Sequence, residues 1–274
     1  MNSRSSLRTR LISYPYVIWA ALFIIAPLFF VIYYSFTNPA GDFTFENVAM
    51  ISKYLPTFLR SIWFGIVATI ICLLIAFPMA YVISQKTDKV QRTMVMLVML
   101  PMWMSFLIRT YSWMALLQDT GIINSFLMKI GIDPIHMINT SGAVILGMVY
   151  NFLPYMIMPI YSVMAKLDFS MIEAAQDLGC NRISVLKRCI LPMSIPGIVS
   201  GITMVFVPSV STFYISQKLG GGAFDLIGDV IERQFQQSYN YNLGASLSLV
   251  LMVLILVCMA VMNKFSDDDG GMVI

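Results

Sequence analysis

Between Arg60 and Lys86 the chain reads Ser61-Ile62-Trp63-Phe64-Gly65-Ile66-Val67-Ala68-Thr69-Ile70-Ile71-Cys72-Leu73-Leu74-Ile75-Ala76-Phe77-Pro78-Met79-Ala80-Tyr81-Val82-Ile83-Ser84-Gln85, without one formal charge. About 20 apolar residues carry a helix across the hydrocarbon of a bilayer, where a helix satisfies its own backbone polar groups. Outward from this stretch, charge-free runs recur over 11–41, 93–108, 134–165, 189–217 and 234–263. The whole chain is 58% hydrophobic and 11% charged, against about 25% charged in soluble domains. The fold class is therefore an all-α polytopic membrane protein, one domain over 1–274. Six transmembrane helices are expected near 14–36, 60–84, 94–116, 141–165, 193–215 and 243–263. The third run is short, and Arg109 near its end is expected to snorkel to the interface or to pair with an acid.

Lys and Arg concentrate on cytoplasmic loops, so their distribution orients the spans. Eleven of the seventeen basic residues fall on the side that holds both termini and the 166–192 loop, and six fall on the other. Both termini and that loop are therefore assigned to the cytoplasm of a multi-pass protein in a plasma membrane. The net charge of +3 is a topology signal and not a nucleic-acid footprint. The first run is too long for a secretory h-region and ends in Tyr33, Tyr34 and Phe36, as an interfacial aromatic belt does, so it is read as a retained span.

Enzymatic classes find little support. No nucleophile with its base and no paired carboxylates lie at membrane depth. His136 has no second His or Cys pair at ligand spacing and reads as a loop histidine. Gly220-Gly221-Gly222 lacks the Lys-Ser/Thr pair of a phosphate loop. The four cysteines suggest no disulfide. No cofactor, metal or nucleotide site is expected on this chain, and no nucleic-acid partner. A proton- or sodium-coupled carrier should carry an intramembrane acid, and no Asp or Glu lies deep in any span.

The 166–192 loop has an internal pattern. Ser170-Met171-Ile172-Glu173 fits a capping box that would start a short helix. Gly179 can stop that helix in a left-handed conformation, and Asn181 can cap a second helix running through Arg182, Ile183, Leu186 and Ile190 toward Pro192. The full string is Glu173-Ala174-Ala175-Gln176-Asp177-Leu178-Gly179, with Leu191-Pro192 and Pro196 downstream. It resembles the EAA loop of permease subunits in binding-protein-dependent ABC importers. Leu186 stands where that family often has an aromatic residue. Three further segments are similar to the permeases of spermidine/putrescine importers within that family: Leu107-Ile108-Arg109-Thr110-Tyr111, Val149 to Pro159, and Pro208 to Ser216 followed by Leu219-Gly220-Gly221 and Leu226 to Ile231.

The resemblance implies a type I ABC importer permease fold and a non-catalytic subunit. It implies that Ser170, Glu173, Ala174, Ala175, Asp177, Leu178, Gly179, Leu191 and Pro192 dock into an ATPase. Two ATPase subunits carrying ATP and magnesium, a second permease subunit and an extracytoplasmic binding protein are the implied partners, with membrane lipid around the spans. Polyamine import is the implied function; a permease for another small solute or a secondary carrier are the alternatives.

Residue chemistry suggests where a solute path would run. Pro154, Pro159, Pro196 and Pro208 interrupt the fourth and fifth spans, which frees carbonyls. Asn151, Ser209, Ser211, Thr212 and Tyr214 set polar groups near those bends. Gly197 and Gly201 equally permit close helix packing with no transport role. A flexible polycation needs carboxylates and aromatic faces, so Trp113 and Tyr214 are expected on the path with one or more of Asp119, Asp225, Asp229 and Glu232.

Overall fold

The computed structural model describes residues 15–167, 170, 175, 177 and 179–270, with side chains except at 182, 263 and 265–270. In chain order the main helices are α1 (Pro15–Ser35), α2 (Leu55–Ser84), α3 (Asp88–Met99), α4 (Phe106–Leu117), α5 (Ile122–Lys129), α6 (Ser141–Met164), α7 (Leu191–Ser211), α8 (Tyr214–Gly220), α9 (Ile227–Gln236) and α10 (Tyr241–Gly270). Five of the helical stretches are long and apolar enough to cross a membrane, and a bent pair makes six.

That bent pair is the third apolar run. In place of one continuous span at 94–116, Asp88–Trp103 and Phe106–Lys129 meet at 87°. The break has a local cause. Leu100–Trp103 tightens into a 3-10 turn around Pro101, and Met104 then turns extended at ψ 146°. Ser105 follows at ψ 131°, so no helical register survives the junction.

Two wide turns share another cause. In α1 the Ala26 N–H reaches back five residues to the Ala21 carbonyl, and ahead of α7 the Leu191 N–H reaches the Leu186 carbonyl. Each is a π turn, and each is followed at once by a proline, Pro27 or Pro192. Proline can donate no backbone hydrogen bond, and a π turn shifts the carbonyl register where that donor is lost. Arg182–Val185, the π turn Leu186–Ile190 and α7 consequently run on as one helical stretch.

The chain forms two compact units. The first comprises residues 1–55 and 230–254. Within it the carbonyls at the end of α1, which have no intrahelical donor, and that of Thr37 just beyond are served from α10. Asn242 Nδ2 donates to the Tyr34 and Thr37 carbonyls at 3.2 and 2.6 Å, and Ser246 Oγ donates to the Ser35 carbonyl at 3.0 Å. The rings of Phe36, Phe43 and Phe45 cluster beside that end, with centroids 5.0–6.0 Å apart.

The second unit comprises residues 56–229 and 255–274 and holds most of the core. Ala68, Cys72, Ala76 and Ala80, four apart along α2, are wholly buried. The α6–α7 seam is closer still. A Cβ on Gly197 would stand 2.8 Å from the Pro159 carbonyl oxygen, and one on Gly201 would stand 2.7 Å from Met156 Sδ and 3.2 Å from its carbonyl oxygen. Glycines four apart let one backbone lie on the other. Of the two readings of Gly197 and Gly201, close packing is the one the geometry carries.

Candidate functional site

Two places in the second unit carry the chemistry anticipated from sequence. One is the corner that includes Gly179. Glu173, Ala174 and Leu178 lie outside the described residues, and the Ser170–Glu173 capping box therefore does too. Ser170, Ala175 and Asp177 are helical, with Ser170 and Asp177 exposed and Ala175 packed on the hydrophobic core. Gly179 has φ +83°, and the Cys180 N–H donates to the Ala175 carbonyl at 3.1 Å. A six-residue return bond over a left-handed glycine is a Schellman stop. Asn181 Oδ1 then accepts the Ser184 N–H at 2.8 Å, and its carbonyl accepts the Val185 N–H at 3.0 Å. The second helix is capped as its sequence suggested and leads through Leu191 and Pro192 into α7. Nearby, Gln91 donates to the Ser84 and Lys86 carbonyls and accepts from the Tyr161 hydroxyl at 2.8 Å, which ties the loop after α2 to α6.

The other place is the meeting of α4 and α8. Thr212 turns extended at ψ 143°, ends α7, and lets α8 start anew at Tyr214. Tyr214 meets Phe106 and Tyr111 of α4 at ring-centroid distances of 5.9 and 6.2 Å. Lys218 Nζ lies 5.5 Å from the centre of the Tyr111 ring and 5.8 Å from that of Tyr214. Arg109 is buried, with its guanidinium carbon 5.9 Å from the centre of the Phe106 ring. It neither snorkels nor meets an acid: its Nε and Nη1 have no hydrogen-bond partner among the described residues. Trp113 packs edge-on against Tyr150 of α6, centroids 5.3 Å apart.

The remaining residues expected on a path fall into different settings. Asn151 is 1% exposed, donates to the Gly147 carbonyl at 2.8 Å, and keeps an unpartnered Oδ1. Ser209 and Ser211 donate back to the Val205 and Val207 carbonyls of their own helix, at 2.6 and 3.0 Å. Asp119 pairs with His136 at 2.9 Å, with both side chains more than half exposed, so the loop histidine has a carboxylate partner. Asp225 and Glu232 are half-buried.

Asp229 departs furthest from a peripheral loop acid. It is 3% exposed, accepts from Ser216 Oγ at 2.9 Å, and accepts the Leu226 N–H at 2.8 Å. That return bond caps the first turn of α9. The next backbone donor, the Ile227 N–H, is met by Ser61 Oγ at 2.7 Å.

Lys218, Tyr111 and Phe106 were not singled out as site residues. The Tyr214–Lys218 spacing of four, one helical turn, was the signal that could have found part of the cluster. Among the described residues no group of His, Cys, Asp and Glu could hold a metal ion.

Residues 2–267 match the family described as binding-protein-dependent transport system inner membrane component. The chain belongs to this family. The permease is 38% identical, over 81% of each chain, to the spermidine/putrescine transport system permease protein PotB of Haemophilus influenzae. It is 35% identical to that of Escherichia coli, over 79% of this chain and 82% of the other. Its fold is that of type I ABC importer permeases. It superposes on a chain of a bacterial ABC transporter that imports alginate with TM-score 0.79 at 19% identity, covering 97% and 96% of the two chains. A chain of the MetNI methionine ABC transporter gives 0.60 at 14% identity, covering 81% and 98%. The permease is thus a non-catalytic, multi-pass inner-membrane component of an ABC importer.

Proposed function

We propose that the permease serves an importer of polyamines, spermidine and putrescine, and forms half of its translocation path. The observation that carries this is the 38% identity, over four-fifths of both chains, with a permease named for those two solutes. A six-span subunit encloses only one side of a path, so a second permease faces it. Two ATPase subunits bind ATP and magnesium, and an extracytoplasmic binding protein delivers the solute. Both termini and the 166–192 loop face the cytoplasm.

ATP binding closes the ATPase pair and pulls on the helix that includes Ala175 and Asp177. The helical run from Arg182 through α7 carries that displacement into the spans, and hydrolysis resets them. The close α6–α7 seam supports this reading, because backbone packed on backbone moves as one body. On the path we place Trp113, Asn151, Ser211 and Tyr214, with Asp119 and Asp225 drawing the cation toward it. Asp229 shapes the start of α9.

The test is ATP-dependent uptake of labelled putrescine and spermidine into vesicles holding the full importer, with its binding protein added. Saturable uptake of either is expected. A complex that binds ATPase and hydrolyses ATP but moves neither would remove the polyamine reading. Glu173→Lys should leave membrane abundance unchanged and abolish uptake; normal uptake would overturn the docking assignment.

A further inference from the structure

The α4–α8 cluster holds a cation on an aromatic pair, and that cation is part of the chain. Lys218 carries its ammonium on a four-carbon stem, the same aminobutyl group that ends putrescine and spermidine. Two elements converge on it. Tyr214 is one helical turn away on α8, whereas Tyr111 comes from α4, and Lys218 Nζ stands within 6 Å of both ring centres. An ammonium inside that distance is drawn to the ring faces. Two ammonium groups held on the same two rings repel each other, so the second must displace the first.

The neighbouring cation differs in freedom. Arg109 is buried, on the Phe106 ring. Lys218 is only half-buried, at the end of a flexible stem. Of the two, Lys218 is the one that can leave.

We propose that Lys218 is a tethered competitor for a polyamine subsite formed by Tyr111 and Tyr214, and that a substrate ammonium binds there only by displacing it. This rests on the polyamine reading above. The site then weakens its own hold on the cargo, which favours release over retention. A polyamine entering it finds faces already shaped for an ammonium on a butyl stem.

The experiment is equilibrium dialysis of radiolabelled putrescine against the assembled importer in detergent, without binding protein, alongside uptake by the parent complex. Lys218→Met keeps the stem and removes the charge, and Lys218→Gln removes the charge with a polar end. Both should tighten putrescine binding about three- to tenfold, and Lys218→Arg should leave it within about twofold of the parent. Adding Tyr111→Leu and Tyr214→Leu to Lys218→Met should erase the gain. The proposal is overturned if neither Met nor Gln tightens binding, or if the gain survives loss of both tyrosines. Parent uptake separates the two ideas: polyamine transport with unchanged binding in the variants removes the Lys218 proposal alone, whereas no transport removes the polyamine reading with it.

Discussion

Two helix contacts in the second unit fill their space in opposite ways. Along α6–α7, Gly197 and Gly201 bring backbone to within a Cβ's reach of the Pro159 and Met156 carbonyl oxygens. Met156 Sδ can rotate aside there, but the carbonyl oxygens cannot. Along α4–α8, the rings of Phe106, Tyr111 and Tyr214 and the Lys218 stem occupy the gap, and each can turn about its own bonds. A contact between backbones transmits displacement, while one between long side chains adapts to what enters it. On the function proposed above, the first seam is suited to motion and the second to recognition.

The largest effect should come from spoiling the stiff seam. Gly197→Leu places a branched side chain where a Cβ alone is 2.8 Å from a carbonyl oxygen and 3.0 Å from Ile160 Cα. Overpacking costs typically 1–3 kcal/mol, and with backbone as the obstacle at least about 3 kcal/mol is expected. Yield of assembled complex and its melting temperature should both fall sharply. A Gly197→Leu complex that melts with the parent would dissolve the contrast.

A smaller effect belongs to the polar joint at the start of α9. Asp229→Ala strips acceptors from Ser216 Oγ and the Leu226 N–H, and both donors are buried. Leaving such groups unpaired costs about 1–3 kcal/mol. Asp229→Asn keeps an acceptor oxygen for one of them and should recover part of the loss. If Asp229 instead met the cargo, Asn would be as damaging to uptake as Ala while both complexes melted alike. Thermal melts read against uptake distinguish the two roles.

How far the sequence could be read follows the range of the interactions involved. The long spans were legible because lipid imposes an unbroken apolar requirement on each of them. The Gly179 stop and the Asn181 cap were legible because both are satisfied within six residues. The break at Met104–Ser105 was not, although Pro101 stood in view: a charge count marks the apolar run and carries no information about a tightened turn and two extended residues inside it. Asp229 was read as a peripheral acid because its partners come from Ser216 and the turn at Leu226, which only the fold brings together. The aromatic part of the expected path shares that limit. Trp113 and Tyr214 do sit in aromatic contacts, but Lys218, which brings a charge to the Tyr214 contact, falls in the gap between Ser216 and Leu219 of the resembling segment.

The smallest effect should be at Gly179, and it sharpens what kind of constraint a glycine can carry. At Gly197 a side chain is excluded by contact. At Gly179 a Cβ would meet nothing within 4 Å, yet φ is +83°. Only the left-handed backbone opposes substitution there, at about 1 kcal/mol for alanine. Gly179→Ala should therefore lower the melting temperature slightly and leave the complex assembled. Its effect on ATP-driven uptake should exceed its effect on stability if, as proposed above, the Schellman corner aims the preceding helix at an ATPase while bearing little of the packing. Equal, small losses in both would make the corner an ordinary connector, and uptake that falls while the melt barely moves would mark it as the hinge through which force enters α7.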